Sequence, residues 1–364
     1  MSVLKLATVF SGIGAIEQAL KKQKIKYEIS FACDTGERYI DINPIEVKNK
    51  IENFSDEEKN NYIKDLYLKT KKRNYVKESY FANYDIFENR WYDDIRFIDG
   101  NKYENKVDLF VGGSPCQSFS IIGKRAGLND TRGTLFYDYA RLVSEIKPKV
   151  FIYENVTGML NHDKGNTWKV IREVFDSLGY KIYFQVLNAK DYGIPQDRKR
   201  IFVVGFKDRN VEFEFPKPFN LDKTSFDFLE KEPVAINHYL GKKGFEFVTN
   251  PKYKARARVN SEIIQTQKAN QQFNWNGDFV FVPFEKIKDN KEILNRAFIG
   301  EWNGQKGAIR QMTYRECLRL MGFSDDFKIV VPNVPAYRQS GNSIVVNVLE
   351  EIVKEIVKVV DFSE

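Results

Sequence analysis

The sequence is poor in the residues from which many catalytic and metal sites are built. Its 364 residues include three cysteines and two histidines. The cysteines, Cys33, Cys116 and Cys317, have no CxxC spacing, which argues against a disulfide framework or a zinc site. The scarcity of histidine argues against most metal hydrolases and most catalysts that pair Cys or Ser with His. We therefore expect acid–base chemistry from carboxylates, Arg, Lys or Tyr.

Long apolar runs are also absent from the sequence. No stretch reaches the roughly 18 apolar residues of a membrane span, and the first residues lack the pattern of a signal peptide. We therefore expect a cytoplasmic protein. The hydrophobic content of 42% is sufficient for a packed core. The formal net charge of +7 mildly favours a polyanionic partner, although a lysine-rich composition alone would look the same.

The first 206 residues alternate short apolar runs with amphipathic stretches. Runs rich in Val, Ile and Phe, each predicted to form a strand, occupy residues 4–10, 29–33, 107–112, 150–153, 182–187 and 201–206. Helix-like stretches, such as 15–22 and 167–178, lie between them. This rhythm predicts an α/β fold with a mostly parallel, Rossmann-like sheet and helices on both faces. Such sheets bind ligands beyond the carboxyl ends of their strands.

A highly charged segment, residues 41–90, interrupts this rhythm. Within it, Ser55 and Glu58 have the spacing of a capping box at a helix start. We predict an inserted helical arm, for which a solvated surface elaboration is the simplest interpretation.

After Phe206 the sequence becomes more polar and less periodic. Between residues 241 and 270, seven Lys or Arg side chains stand against two Glu, with aromatic residues nearby. This pattern predicts a basic face for phosphates, although a solvated charged surface would look similar. Lys254, Arg256 and Arg258 alternate, so they would share one face of an extended strand.

A helical pattern returns near the end of the chain. Asn342 and Ser343 are predicted to open a helix. Its apolar stripe comprises Val345, Leu349, Ile352, Ile356 and Val359. We expect this helix to pack on the first domain. Residues 1–206 and 333–364 would then form a catalytic and cofactor-binding domain, and 207–332 a smaller, mainly β or irregular recognition domain.

Two kinds of residue near the predicted strand ends are suited to binding a nucleotide-like ligand. The turn FSGIG at 10–14 lies between a strand and a helix, and its glycines allow close approach of a ligand. It lacks the third glycine of GxGxxG and is a weak motif alone. Asp34 follows the second strand and could hold ribose hydroxyls, and Asp94 could meet an adenine amino group.

The strongest local signal is GGSPCQ at 112–117, which follows a buried-looking strand. The turn would expose Cys116, unlike a structural cysteine inside a strand or helix. Glu154 follows the next predicted strand and could form an acid pair with this thiol. Arg198 and Arg200 alternate before another strand, where they could hold a carboxylate or phosphate.

These motifs occur in the order found in one family. The chain resembles the cytosine-5 DNA methyltransferases, especially those of bacterial restriction–modification systems. The resemblance is carried by FSGIG (10–14), Asp34, DI (94–95), GGSPCQSFS (112–120), DTRGTLF (130–136), ENV (154–156), DYGIPQDRKRIF (191–202), RQMTYRECLRLMGF (310–323) and YRQSGNS (337–343). It fades in 41–90 and 220–305, and the family's target recognition region lies in the second of these segments.

The resemblance implies methyl transfer from S-adenosylmethionine to carbon 5 of a cytosine flipped out of duplex DNA. Cys116 is the expected nucleophile, which adds to carbon 6 and forms a covalent intermediate. Glu154 is similar to the glutamate that contacts ring nitrogen 3 and the amino group. Arg198 and Arg200 resemble the arginines that orient this glutamate and the base. No metal is needed, because the sulfonium activates the methyl group.

The resemblance also implies which residues bind the cofactor and the DNA. Cofactor contacts are expected from Phe10, Gly12, Ile13, Gly14, Asp34, Asp94, Ile95, Pro115, Leu135, Asn342 and Ser343. DNA contacts are expected from Gln117 and Ser120 beside the cysteine, and, from the basic pattern described above and not from the resemblance, from Lys254, Arg256 and Arg258. A cognate restriction endonuclease that acts separately is the expected functional partner.

Three other functions compete with this interpretation. A transfer-RNA cytosine methyltransferase would share the chemistry, but the large basic segment 220–305 favours duplex DNA. A non-catalytic DNA-binding relative would not need Cys116, Glu154 and the two arginines. A nicotinamide-dependent oxidoreductase is suggested by the glycine turn alone, and PCQ and ENV have no role in it.

Overall fold

The computed structural model describes residues 3–115, 135–271 and 273–362, which divide into two units. The first unit comprises Met1–Leu187, Lys199–Lys217 and Leu349–Glu364. The second comprises Asn188–Arg198 and Pro218–Val348. The units differ from the predicted domains, because residues 188–198 and 333–348 belong to the second unit and residues 207–217 belong to the first. The division of catalysis and recognition between two domains stays a prediction.

The first unit is built on a sheet that has seven strands within the described residues. The strands are β1 (Leu4–Val9), β2 (Tyr27–Cys33), β3 (Trp91–Tyr92), β4 (Leu109–Gly112), β5 (Val150–Val156), β6 (Lys181–Asn188) and β8 (Lys199–Phe206). Their order is β3-β2-β1-β4-β5-β8-β6, in which β1 to β5 pair in parallel and β8 runs antiparallel to β5. All six predicted strands are present, and the predicted α/β fold is confirmed. β2 and β4 lie on opposite sides of β1, so the strand order reverses at β1. In such sheets, ligands bind in the crevice at the point of reversal.

The first unit contains seven α-helices before β6 within the described residues, and those that pack on the sheet account for its apolar strands. The seven are α1 (Ala15–Lys22), α2 (Pro44–Ile51), α3 (Asp56–Leu68), α4 (Tyr75–Asn83), α5 (Leu135–Ile146), α6 (Gly158–Asn161) and α7 (Asn166–Ser177). Rings of the sheet pack on α5 and α7: Phe110 lies 4.9 Å from Tyr139 and Phe151 lies 4.8 Å from Phe175, centroid to centroid. Gly205 lies opposite Phe151, and a Cβ there would stand 2.1 Å from the ring. A continuous apolar strand is expected when both faces of a sheet are covered.

The segment 41–90 is helical, as predicted, and contains α2, α3 and α4. The capping box of Ser55 and Glu58 is present at the start of α3. The expectation of a merely solvated elaboration is wrong, because its apolar side chains form a core of their own. This core includes Ile40, Val47, Ile51, Ile63 and Tyr67.

Within the described residues, the second unit contains a four-stranded mixed sheet, a two-stranded sheet and short helices. Its strands are β7 (Gln196–Asp197), β9 (Ala257–Val259), β10 (Ile264–Gln265), β11 (Gly277–Pro283), β12 (Gly300–Trp302) and β13 (Gln305–Gln311). Its helices are α8 (Lys242–Thr249), α9 (Lys291–Arg296), α10 (Tyr314–Arg319) and α11 (Asn333–Asn342). In the larger sheet the order is β12-β13-β11-β9. The fully buried Arg310 forms ion pairs with Glu232 and Glu316, which compensates the cost of burying its charge.

Two local predictions are wrong. The last helix, α12 (Val346–Val359), does not open at Asn342, which is the final residue of α11, or at Ser343, which caps α11. Lys254 and Arg256 lie in a turn before β9, so only Arg258 belongs to a strand and the three do not share a strand face. Within the described residues, no helix has the length and apolar character needed to cross a membrane.

Candidate active site

The glycine turn after β1 has an unusual backbone that leaves room beside it. Phe10 adopts a φ of 52°, which is strained for a bulky side chain. Gly12 and Gly14 have φ values of 54° and 80°, which glycine tolerates. A Cβ added at Gly12 would meet nothing within 4 Å, so a ligand could approach this backbone closely. Such strain and open space are typical of ligand-binding turns.

Asp34 follows β2 and is oriented by two backbone amides. Its carboxylate accepts hydrogen bonds from the N–H of Gly12 at 2.9 Å and from the N–H of Gly36 at 2.8 Å. Burial raises the pKa of this carboxyl above its usual range. The bond to Gly12 joins the acid that follows β2 to the turn that follows β1.

Asp94 is buried and engaged by protein groups. Its carboxylate accepts hydrogen bonds from the guanidinium of Arg96 and, at 2.8 Å, from the hydroxyl of Tyr67. It also caps the following turn by accepting from the Arg96 backbone N–H. A bond to an adenine amino group would have to share these acceptor positions. The side chain of the adjacent Ile95 is buried in the core.

Glu154 and Arg200 form an ion pair on neighbouring strands. Glu154 lies within β5, which is longer than predicted, and pairs in register with Phe202 of β8. Arg200 precedes Phe202 by two residues in β8. The side chains of Glu154 and Arg200 are therefore diagonal neighbours on one face of the sheet. Arg200 Nε is 3.1 Å from Glu154 Oε1, and both side chains are largely buried. The pair holds a carboxylate in a fixed direction near the carboxyl end of β5.

The GGSP segment (residues 112–115), at the end of β4, is bonded to β5. A Cβ at Gly113 would stand 2.5 Å from the backbone oxygen of Glu154, so this contact requires glycine. The side-chain amide of Asn155 donates to the Ser114 carbonyl at 2.9 Å, and the Ser114 and Tyr153 hydroxyls are 2.7 Å apart. These bonds fix the chain up to the exposed Pro115.

Three predicted site residues lie outside the part of the chain that the structure describes. Cys116, which follows Pro115 in sequence, and the predicted DNA contacts Gln117 and Ser120 lie outside the described residues. Leu135 is the first residue of α5 and packs partly against the core.

Other predicted site residues belong to the second unit. Arg198 is buried there, where its guanidinium donates to the carbonyls of Gln267, Gly341 and Ser343 at 2.6 to 3.1 Å. Ser343 is buried and Asn342 is exposed. The described contacts of Arg198 therefore stabilise the backbone that carries Ser343.

The predicted DNA-binding cations of the second unit are exposed. Lys254, Arg256 and Arg258 all have solvent-accessible side chains. Arg256 donates to the Asn274 carbonyl at 2.9 Å and lies over the ring of Phe247 at 5.4 Å. Its charge is positioned by these contacts and not by a strand.

Sequence reasoning missed a buried carboxyl behind the glycine turn. Glu17, in the first turn of α1, is fully buried and accepts a hydrogen bond from the hydroxyl of Tyr80. Burial raises its pKa to about 7. The amphipathic pattern of α1 did not reveal this, because the side chains that bury Glu17 come from distant parts of the chain.

Glu17→Gln should stabilise the protein at alkaline pH. Because the pKa of Glu17 is raised on folding, the native state binds more protons than the unfolded state between about pH 4.5 and 7, and wild-type stability falls through this interval. We expect Glu17→Gln to unfold with a free energy about 3 kcal/mol larger than wild type at pH 8, and with no difference at pH 4.5 or below. Urea denaturation across this pH range measures it. An equal difference at all pH values would contradict the assigned ionisation.

Comparison with known proteins identifies the family. Residues 58–358 match the family of C-5 cytosine-specific DNA methylases. The Type II methyltransferase M.SsoII of Shigella sonnei is 38% identical over 293 residues, which cover 79% of this chain and 72% of the relative. The Type II methyltransferase M.HhaI of Haemophilus parahaemolyticus is 36% identical over 249 residues, 67% of this chain and 74% of the relative. The chain therefore belongs to the C-5 cytosine-specific DNA methylases.

Solved structures agree on the fold. The Dnmt2 methyltransferase of S. pombe superposes with a TM-score of 0.64 at 18% identity, covering 98% of both chains. A putative DNA modification methyltransferase from an E. coli prophage gives a TM-score of 0.56 at 18% identity, over 98% of this chain and 99% of that one. The protein is a DNA cytosine-5 methyltransferase, and its family and fold imply S-adenosylmethionine as methyl donor. In the ranges that the structure describes, no group of three or more His, Cys, Asp or Glu is placed to hold a metal ion.

Proposed function

We propose that the protein methylates carbon 5 of a flipped-out cytosine within a specific duplex DNA sequence, as the methyltransferase of a bacterial restriction–modification system. The observation that carries this proposal is the Glu154–Arg200 ion pair against the GGSP segment, which immediately precedes Cys116 in sequence. Relatives such as M.SsoII and M.HhaI are Type II methyltransferases. A separately acting endonuclease is the proposed partner, and the bacterial cytoplasm is the proposed location.

Cys116 is the proposed nucleophile. Its thiolate forms a bond to carbon 6 of cytosine, and the electron pair of the 5,6 double bond moves to carbon 5, which becomes enamine-like. S-adenosylmethionine, when bound, supplies a methyl group made electrophilic by its sulfonium. Carbon 5 would bond to this methyl through its electron pair, and the pair of the broken carbon–sulfur bond would stay on the departing sulfide. Loss of the carbon 5 proton to water then returns the electron pair to the 5,6 bond and expels the thiolate. The cytosine must leave the duplex because carbon 6 is inaccessible in the stack.

Glu154 is proposed to bind the pyrimidine edge at ring nitrogen 3 and the amino group. A proton held by its carboxyl at nitrogen 3 would stabilise the electrons that the thiolate displaces into the ring. Arg200, through its 3.1 Å contact, keeps the carboxyl oriented. The contribution of Arg198 to the orientation of Glu154 and the base rests on the family resemblance.

The residues at the ends of β1 and β2 fit the methyl donor. The open space at Gly12 admits a ligand against the backbone, and the oriented Asp34 suits ribose hydroxyls. We assign Phe10, Ile13, Gly14, Asp94, Ile95, Pro115 and Leu135 to the same site. Asn342 and Ser343 are assigned to it on the resemblance alone.

The substrate and product can be tested directly. DNA from cells that express the protein should carry 5-methylcytosine at one position of one short sequence, as bisulfite sequencing reports. Purified protein should transfer labelled methyl groups to duplex DNA and not to transfer RNA. Labelling of RNA alone would favour the transfer-RNA methyltransferase, and no labelling of either would overturn the proposal.

Specificity is proposed to lie in residues 220–305. The exposed cations Lys254, Arg256 and Arg258 are suited to phosphates, which position DNA without selecting a sequence. Exchange of this segment with that of a relative of different specificity should therefore change the methylated sequence and preserve the chemistry. Bisulfite sequencing checks the outcome. A chimera that folds and methylates the original sequence would place specificity elsewhere.

A further inference from the structure

We propose that the inserted arm, residues 41–90, is a working part of the methyl-donor site, in which Tyr84, Asn74 and Tyr67 position the segments that bind S-adenosylmethionine. These three are positioning residues, since they act through the segments that contact the ligand. The inference rests on the proposed function, which assigns the glycine turn (residues 10–14), Asp34 and Asp94 to that ligand.

Tyr84 supports the glycine turn from beneath. Its hydroxyl is shared between the carbonyls of Ile13 and Gly14, at 3.0 and 2.7 Å, and accepts a hydrogen bond from Gln18 at 3.1 Å. A Cβ at Gly14 would stand 2.2 Å from its ring, so the glycine and the tyrosine are complementary in shape. The turn thus depends on a side chain of the arm for its backbone position.

Tyr80 makes a second connection to the same region. Its hydroxyl donates to Glu17 in the first turn of α1, and both side chains are fully buried. Tyr80 of α4 therefore contacts the helix α1, and Tyr84, the residue that caps α4, contacts the glycine turn directly before that helix.

Asn74 connects the arm to the acid of β2. Its side-chain amide donates to the Asp34 carbonyl at 3.0 Å and to the Asp93 carboxylate at 3.3 Å. Its oxygen accepts from the Lys77 N–H and so caps α4. One side chain therefore starts the helix of the arm and holds the backbone of Asp34.

Tyr67 of α3 connects the arm to the segment that carries Asp94. It donates to Asp94 at 2.8 Å. The guanidinium of Arg38, which pairs with Asp93 and donates to the Thr35 carbonyl at 2.8 Å, lies over the Tyr67 ring at 4.8 Å. The arm therefore contacts the glycine turn, the backbone of Asp34 and the carboxylate of Asp94.

This arrangement makes ligand binding depend on the arm. If the arm holds the segments in their binding geometry, then weakening a connection lowers affinity, and by reciprocity the ligand stabilises the arm. A surface elaboration would contribute to stability alone.

The test is the substitution Tyr84→Phe, with Tyr180→Phe as matched control. Both tyrosines are buried and donate to a backbone carbonyl at 2.7 Å, Tyr84 to Gly14 and Tyr180 to Pro148. Isothermal titration should give a Kd for S-adenosylmethionine about tenfold higher for Tyr84→Phe and unchanged for Tyr180→Phe. The kcat at saturating S-adenosylmethionine and the Kd for DNA should be those of wild type in both variants.

Asp34→Ala separates failure of the inference from failure of the proposed function. If Asp34→Ala weakens S-adenosylmethionine binding and Tyr84→Phe behaves like Tyr180→Phe, the role of the arm is overturned and the site stands. If Asp34→Ala binds as wild type does, the site itself is misassigned and both fail.

Hydrogen exchange of the wild-type protein gives a second readout that needs no variant. Addition of S-adenosylmethionine should slow amide exchange in α4, residues 75–83, as well as in the glycine turn. Protection confined to the turn would contradict the coupling.

Discussion

Cys116→Ser should abolish methyl transfer to DNA, with a loss on the order of 10⁴-fold or more in turnover. The reason is chemical, because an alcohol is far less ionised than a thiol near neutral pH and adds poorly to carbon 6. Binding of S-adenosylmethionine and DNA should persist, since neither requires the covalent bond. Single-turnover assays with labelled methyl donor, together with equilibrium binding, measure the two effects separately.

Cys317→Ala is the control for this loss. The Cys317 thiol is fully buried and burial raises its pKa well above the usual range, so it is not available as a nucleophile. This variant should retain most of its methyl transfer. Undiminished turnover in Cys116→Ser, or equal losses in both variants, would refute the assignment of the nucleophile.

Glu154→Gln should lower turnover by about 10² to 10³-fold. Glutamine has the size of glutamate and its oxygen can still accept from Arg200 Nε, but it cannot supply a proton to ring nitrogen 3. The defect should therefore fall on the chemical step and leave the affinity for DNA nearly unchanged. Rapid-quench measurements on preformed complexes report that step.

Arg200→Lys provides a graded comparison for the same site. Lysine keeps the positive charge but loses the planar guanidinium that orients a carboxylate. Its loss of turnover should be smaller than that of Glu154→Gln. Wild-type turnover in Glu154→Gln would show that the carboxyl takes no part in the reaction.

Local patterns predicted the strands of the sheet, although β5 continues through Glu154, which was expected to follow it. The strands are continuous apolar runs because both faces of the sheet are covered, and this property is visible in residues 150–153 without knowledge of their partners. The pairing of Glu154 with Arg200 was expected only from the family resemblance. It depends on the antiparallel register between β5 and β8, which no local pattern records.

The role of the arm could not be predicted, because its decisive contacts join residues far apart in sequence. Tyr84 meets the glycine turn some 70 positions away, and Asn74 meets Asp34 across 40 positions. A signal was present in the tyrosines of residues 62–84, which are too numerous for a merely solvated surface. The high charge of the segment concealed it.

Two further errors have physical causes. Pro251 starts the short helix Pro251–Tyr253, and residues 254–256 form a turn before β9, so the alternation of cations at 254–258 does not correspond to a strand. The apolar stripe of α12 was correctly placed at Leu349, Ile352 and Ile356, but its start was not. Asn342 has the side chain of a helix start and lies instead at a helix end.

Trapping on DNA that contains 5-fluorocytosine tests whether Cys116 forms a covalent bond to carbon 6 of the target cytosine. Fluorine replaces the proton that must leave carbon 5, so the reaction should stop after methyl transfer with the protein still bound to carbon 6. With S-adenosylmethionine and a duplex that is methylated when unfluorinated, we predict a complex that survives denaturation. Mass spectrometry of its peptides should locate the bond at Cys116. Absence of the complex on such a duplex, or a bond to another residue, would contradict the account.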